Sequence, residues 1–294
     1  MAGKINNGFQ ISRQSWSALL QNKQLIAFPI ISGIGMIIVS IIFFIPEAFL
    51  AQPVLQAMDT GGEASTLQYA LALIVLFLYY LVAYFVIIFS NTALVGAVMR
   101  MIQGESATVG DGLAVARDRL GKIFTFAFIS ATIGVIARLI TSSGRDSDKV
   151  VVRIITALLG GLIQGAWNLM VFFAVPVIVV EDVSVKKSLQ RSLEIFKNTW
   201  GENFVGSMAV SGVSCLAYIL VFILTGALIA AGITLDMIAL IIAGVILMIF
   251  GVILVALLNG AVNGIFQASL YHFANTGDAG PFIDTKLAQE AFRS

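Results

Sequence analysis

Charge is what this sequence has least of. Only 11% of its 294 residues are Asp, Glu, Lys or Arg, against roughly 25% in a soluble domain. The net charge is +1, which excludes the basic face of a nucleic-acid binder. One cysteine (Cys215) and one histidine (His272) cannot build a disulfide or a zinc centre, so neither metal nor cofactor is expected. Cys215 lies within an apolar run and reads as a small packing residue. The sequence has no nucleotide-binding glycine loop, no nucleophile elbow and no pair of intramembrane carboxylates. It is therefore expected not to be an enzyme. Ionisable residues are missing from the centres of the apolar runs, which argues against a proton-driven pump.

What is there is hydrophobic: 59% of residues, with a mean hydropathy of +0.98. Six runs reach the roughly 20 residues needed to cross a bilayer. They stand at about 25–45, 67–99, 121–141, 150–180, 203–231 and 235–273. The second, fourth and sixth exceed a perpendicular crossing and are expected to tilt or to continue past the inner surface. The uninterrupted run from Met237 to Leu258 lacks the alternation of a barrel strand. The first run is longer than the roughly 7–15 residues of a signal core and reads as a retained helix. Between the first two, residues 46–66 hold Pro46, Pro53 and Gly61-Gly62 and read as a turn-rich outer loop. The fold class is all-α: a polytopic membrane protein of six transmembrane helices in one domain, 1–294, built as three hairpins with interfacial amphipathic helices.

A repeated pattern precedes the hairpins. Its copies are Arg13-Gln14-Ser15-Trp16-Ser17-Ala18-Leu19, Leu113-Ala114-Val115-Ala116-Arg117-Asp118-Arg119-Leu120 and Leu189-Gln190-Arg191-Ser192-Leu193-Glu194-Ile195-Phe196. Each carries basic residues and a small residue (Ser15, Ala116, Ser192) four positions before an apolar one. Each feeds a pair of apolar runs, so one unit is used three times.

Lysine and arginine set the orientation. Thirteen fall on one side, in the N-terminal segment, the tail and the loops after the second and fourth runs. Four fall on the other: Arg138, Arg145, Lys149 and Arg153. Both termini are thus expected in the cytoplasm of a prokaryotic cell membrane. The loop after the fourth run has helical periodicity. Leu189, Ser192, Leu193 and Phe196 share one face, while Lys186, Lys187, Gln190, Arg191, Glu194 and Lys197 share the other. Such a helix suits the interface plane, or packs on the end of a bundle. Lys186, Lys187, Arg191, Arg117 and Arg119 are the candidate lipid-headgroup residues, at roughly 1 kcal/mol per basic residue near an anionic surface. The tail is expected to start a helix at Asp284, with Leu287, Ala288, Ala291 and Phe292 on its apolar face.

Polar groups inside spans are costly and mark function. Each even-numbered run carries an asparagine: Asn91, Asn168 and Asn259. Asn263, Gln267 and Tyr271 continue a stripe at i+4 intervals below Asn259, and Gln164 lies one turn above Asn168. An inner ring of even helices would make Asn91, Asn168, Asn259, Asn263 and Gln267 the lining of a polar cleft. The plainer reading makes them interhelical hydrogen-bond partners, worth about 0.6 kcal/mol on average. Gly160, Gly161, Gly165, Gly206, Gly212, Gly260 and Gly264 suit close helix packing. Pro176 is expected to kink or end the fourth helix. Arg138 and Arg153 read as snorkelling residues.

The stretch Pro176-Val177-Ile178-Val179-Val180-Glu181-Asp182, followed by Ser188-Leu189-Gln190-Arg191-Ser192, resembles a group of six-span prokaryotic membrane families of unknown function. Gly8-Phe9, Ser15-Trp16 and Phe28-Pro29 fit the same group, one member of which is the membrane domain fused to glycerophosphodiester phosphodiesterases. The resemblance implies the six-helix fold; without a phosphodiesterase domain it implies no activity. The leading expectation is transport or permeation through the cleft, by a homo-oligomer. The alternative is a lipid-interacting scaffold or accessory subunit whose partners are membrane lipids.

Overall fold

In hydrocarbon a backbone has to satisfy its own N–H and C=O groups, and a helix does this within one segment. The computed structural model describes residues 2–60, 65–144, 149–200, 208–286 and 288–289, and among them all regular structure is helical. The elements are α1 (Ala2–Gln21), a 3-10 turn at Lys23–Ile26, α2 (Ala27–Thr60), α3 (Thr66–Ile102), α4 (Val109–Asp118), α5 (Leu120–Ser143), α6 (Val150–Val171), α7 (Ala174–Glu181), α8 (Val185–Trp200), α9 (Met208–Thr234) and α10 (Ile238–Thr276). Six segments are long and apolar enough to cross a membrane: Lys23–Leu50, Thr66–Ile102, Leu120–Ser143, Val150–Glu181, Cys215–Thr234 and Ile238–Thr276. Residues 203–207 of the expected fifth run, with Gly206, lie outside the described residues.

Two prolines behave unlike a third. Residues 46–60, expected as loop, continue α2 through Pro46 and Pro53. An interior proline costs about 3 kcal/mol in a soluble helix, yet α2 continues through both. Pro176, in contrast, does interrupt its helix, as expected. It cannot donate to the carbonyl of Phe172, four residues back. The chain turns at Phe172–Phe173, and α7 starts afresh at Ala174. The N–H of Phe173, at the break, donates to Ser192 Oγ of α8 at 2.9 Å. Ser192 is fully buried, so the bond replaces a ladder partner where no water is at hand.

The chain divides into two compact units. The first comprises Met1–Gly33, Leu94–Gly112 and Glu194–Ser294. Here α9 packs along α10, and α1 packs on both. Gly244 permits part of that approach, since a Cβ there would stand 2.5 Å from Ile229 Cγ1. α9 ends with Asp236 in the left-handed region (φ 53°), where Met237 N–H bonds to Gly232 C=O at 2.8 Å and Asp236 N–H to Ile233 C=O at 3.3 Å. Those two bonds satisfy the last carbonyls of the helix. α4 starts with a reciprocal cap: Thr108 N–H donates to Asp111 Oδ2 (2.8 Å) and Asp111 N–H to Thr108 Oγ1 (3.2 Å). Arg100 pairs with both Glu105 (2.8 Å) and Asp111 (3.1 Å). After α10, Asp284 Oδ1 accepts the N–H of Lys286 at 2.7 Å, the helix-start geometry expected there. Ala288 is fully buried, whereas Leu287, Ala291 and Phe292 lie outside the described residues.

The second unit comprises Ile34–Ala93 and Leu113–Leu193. Here α5 packs along α6, with Phe126 edge-on to Trp167 at 6.1 Å. Phe43 of α2 meets Tyr79 of α3 at 5.9 Å, and Phe77 of α3 meets Phe128 of α5 at 5.4 Å.

Candidate functional site

The second unit contains a cleft of about 550 Å³ bounded by α3, α5 and α6. Its polar lining is Tyr80 and Tyr84 from α3, Arg138, Thr141 and Ser142 from α5, and Gln164 from α6. The spacing of these residues explains their presence on one wall. Tyr80 and Tyr84 stand four apart on one helix face, with ring centroids 6.0 Å apart. The rings fit because Gly134 of α5 has no side chain: a Cβ there would lie 3.1 Å from Tyr80 Cδ1 and 3.3 Å from Tyr84 Cε2. Gly160 of α6 faces α5 in the same way, with Ala137 C=O 3.0 Å from where its Cβ would be.

Most of these polar groups already hold protein partners. Thr141 Oγ1 donates to Ala137 C=O (2.9 Å) and Ser142 Oγ to Leu139 C=O (3.1 Å). Gln164 Nε2 donates to Asn168 Oδ1 at 3.1 Å, and the Gln164 side chain also hydrogen-bonds to Tyr84.

The same unit holds a second polar arrangement at the end of α7. Asp182 lies in the left-handed region (φ 50°), the usual stop for a helix. Arg119, between α4 and α5, takes up the last carbonyls: Nε donates to Ile178 C=O at 3.0 Å and Nη2 to Val179 C=O at 2.7 Å. Its Nη1 donates to Val115 C=O at 3.2 Å. Lys122 Nζ bonds to Asp182 Oδ1 at 2.7 Å. That bond, and then the Lys122 charge, hold the Asp182 carboxyl below its usual range, with burial opposing and Arg119 adding a smaller pull. Arg191 of α8 pairs with Glu181 at 3.5 Å. Cations at a helix C-terminus also complement its dipole.

The residues expected from sequence distribute as follows. Asn168, exposed on α6, joins the cleft through Gln164. Asn91 is half-buried in α3 of the same unit. Asn259, Asn263 and Gln267 are half-buried on α10 in the first unit, where Asn263 Nδ2 donates to Asn259 Oδ1 at 3.3 Å. Lys186, Lys187 and Arg117 are exposed. Arg119 is 17% exposed at its side chain and bonded to carbonyls, so its guanidinium is directed at α7. Tyr80, Tyr84, Gly134 and Thr141 were missed by the sequence reading, and Arg138 was assigned only to snorkelling. The available signal was the tyrosine pair at i and i+4 within an otherwise aliphatic run. The first and third copies of the repeated pattern fall within α1 and α8, the second runs from α4 across Arg119 into the start of α5, and Ser15, Ala116 and Ser192 are each fully buried.

A family model described as "Family of unknown function (DUF6159)" matches residues 70–282, more than two thirds of the chain. No curated protein matches the sequence. The matched segment includes every residue of the cleft and of the α7 cap.

Proposed function

The chain belongs to this family of unknown function, and from that premise we propose that it is a non-enzymatic membrane protein that passes a polar or amphiphilic ligand through the cleft between α3, α5 and α6. The observation that carries this reading is the polar lining of that cleft within apolar helices. Polar groups in a bilayer are costly and tend to mark a ligand path, and the cleft volume lies within the roughly 300–1,000 Å³ of ligand pockets. Gln164 is fourteen residues into α6, about 21 Å along the helix axis, which brings polar character far into the span. The Asn259–Asn263–Gln267 stripe of α10 supplies a further polar surface. The three helical copies point to a threefold hairpin repeat with α1, α4 and α8 at the cytoplasmic interface. A homo-oligomer and a relation to the membrane domain of glycerophosphodiester phosphodiesterases belong to the same proposal.

A cysteine at position 164, made in a Cys215→Ala background, tests whether the cleft is wet. A membrane-impermeant thiol reagent should modify Gln164→Cys in proteoliposomes and leave Leu162→Cys, on the apolar outer face, untouched. Failure to label position 164 from either side overturns the permeation reading.

The scaffold reading is favoured by one observation on α8. Val185, Ser188, Ser192, Ile195 and Phe196 are buried, while Lys186, Lys187, Glu194 and Lys197 are exposed. That exposed cationic edge suits anionic headgroups of the inner leaflet.

Orientation has its own expected result. With both termini cytoplasmic, Ser294→Cys and Thr60→Cys in the same background should be labelled from opposite sides of the membrane. Labelling of both from one side contradicts the six-crossing arrangement.

A further inference from the structure

We propose that the cleft between α3, α5 and α6 holds the anionic headgroup of a membrane lipid, with Arg138 as the charge that selects it. The proposal rests on reading the cleft as a ligand site, and it names the class of ligand. Among the described residues, Arg138 is the single charged one in the lining, and none of them there is Asp or Glu. None of the ion pairs among the described residues includes Arg138. It lies five residues before the end of α5, about 7.5 Å along the axis. A guanidinium at that depth is favoured when an anion meets it, and its planar fork binds phosphate oxygens in a bidentate manner.

The remaining chemistry narrows the choice. Thr141, Ser142 and Gln164 each donate to a group of the protein, and the guanidinium and the hydroxyls of Tyr80 and Tyr84 complete the donors of the lining. Without a carboxylate among the described lining residues, the ammonium of a zwitterionic headgroup has no counter-charge there. The apolar tail of an amphiphile does have a surface. Ile136 and Leu139 of α5 and Leu158 and Leu162 of α6 are all exposed, and lipid chains match such side chains as well as bulk hydrocarbon does. A free anion gains nothing from that surface.

Arg153 supplies the control. Both arginines are exposed, but Arg153, near the start of α6, is not part of the lining. Snorkelling accounts for Arg153 and would make the two arginines equivalent.

Native mass spectra of the delipidated protein, titrated separately with phosphatidylglycerol, phosphatidylcholine, glycerol phosphate and inorganic phosphate, test the proposal. One phosphatidylglycerol should be retained at a concentration about tenfold lower than phosphatidylcholine, the scale of one charge-assisted contact. Arg138→Gln should abolish that preference, Arg138→Lys should restore part of it, and Arg153→Gln should leave it intact. Equal retention of the two lipids by the unsubstituted protein overturns the proposal without reliance on any variant. So does binding of glycerol phosphate or inorganic phosphate as tight as that of the lipid, because it removes the role of the chain. Lipid selectivity with no labelling of Gln164→Cys upholds this proposal and overturns permeation; labelling without selectivity does the reverse.

Discussion

Arg119→Ala should lower the stability of the purified protein by about 3–5 kcal/mol, one of the two largest losses expected from a single substitution here. The guanidinium donates to the carbonyls of Ile178 and Val179 and, by its third nitrogen, to that of Val115. A hydrogen bond to a charged group contributes about 1.5–3 kcal/mol, and a buried carbonyl left without a donor incurs its full desolvation cost. The first two carbonyls belong to the last turn of α7, which begins only after the break at Pro176 and so has little length of its own to hold it together. Arg119→Lys should recover roughly half of the loss, since a point charge reaches one carbonyl where the planar fork reaches two. Arg117→Ala, two residues earlier and exposed, should change stability by no more than about 0.5 kcal/mol. Reversible unfolding in mixed micelles, followed by tryptophan fluorescence, measures all three. An Arg119→Ala loss no larger than that of Arg117→Ala would show that the cap does not hold α7.

Gly160→Val is expected to be the other severe change. A Cβ at Gly160 would meet the Ala137 carbonyl at 3.0 Å and overlap the Thr141 side chain. The carbonyl is part of the α5 ladder and cannot yield as the end of a flexible side chain would. Overpacking of this kind costs about 1–3 kcal/mol. It should also push α5 from α6 and deform the cleft, so lipid selectivity should fall along with stability. The neighbouring Gly161 faces open space, with no described atom within 4 Å of its would-be Cβ. Gly161→Ala should therefore be neutral or more stable by up to about 1 kcal/mol from helix propensity. The contrast between adjacent glycines separates packing from propensity. Equal unfolding midpoints for Gly160→Val and Gly161→Ala would mean that α5 and α6 do not approach as closely as described.

Pro46, Pro53 and Pro176 show where local signals are sufficient and where they are not. Pro176 signals a kink or an end of its helix, and the helix is interrupted there, with Ser192 accepting from the N–H of Phe173. Pro46 and Pro53 carry the same covalent handicap, yet α2 continues to Thr60. The local chemistry is identical in all three. What the sequence does not show is that α8 supplies Ser192 Oγ as an acceptor for the N–H of Phe173 at the break.

The arginines teach a similar lesson. Arg117 and Arg119 looked equivalent in the pattern Ala-Arg-Asp-Arg, each fit for a headgroup. Their side chains separate in the fold: Arg117 is exposed, and Arg119 turns to the end of α7, 59 residues further along the chain. Arg138 and Arg153 also looked alike, and only Arg138 enters the cleft.

What the sequence determined by itself is the helical class and the six apolar segments. A span of about 20 apolar residues in lipid has to satisfy its backbone internally, so length and composition suffice to specify a helix. The sequence also placed the interruption at Pro176 and the helix start at Asp284, because those follow from local stereochemistry. Only the tertiary structure decided which residues gather. Tyr80, Arg138 and Gln164 come from three helices with no sequence signal to join them, and the small residues that let those helices approach, Gly134 and Gly160, look like any other glycine in the list. In a soluble helix the apolar stripe would have marked the inner face. Here lipid is as apolar as the interior, that contrast vanishes, and the inward face is set by side-chain fit between helices.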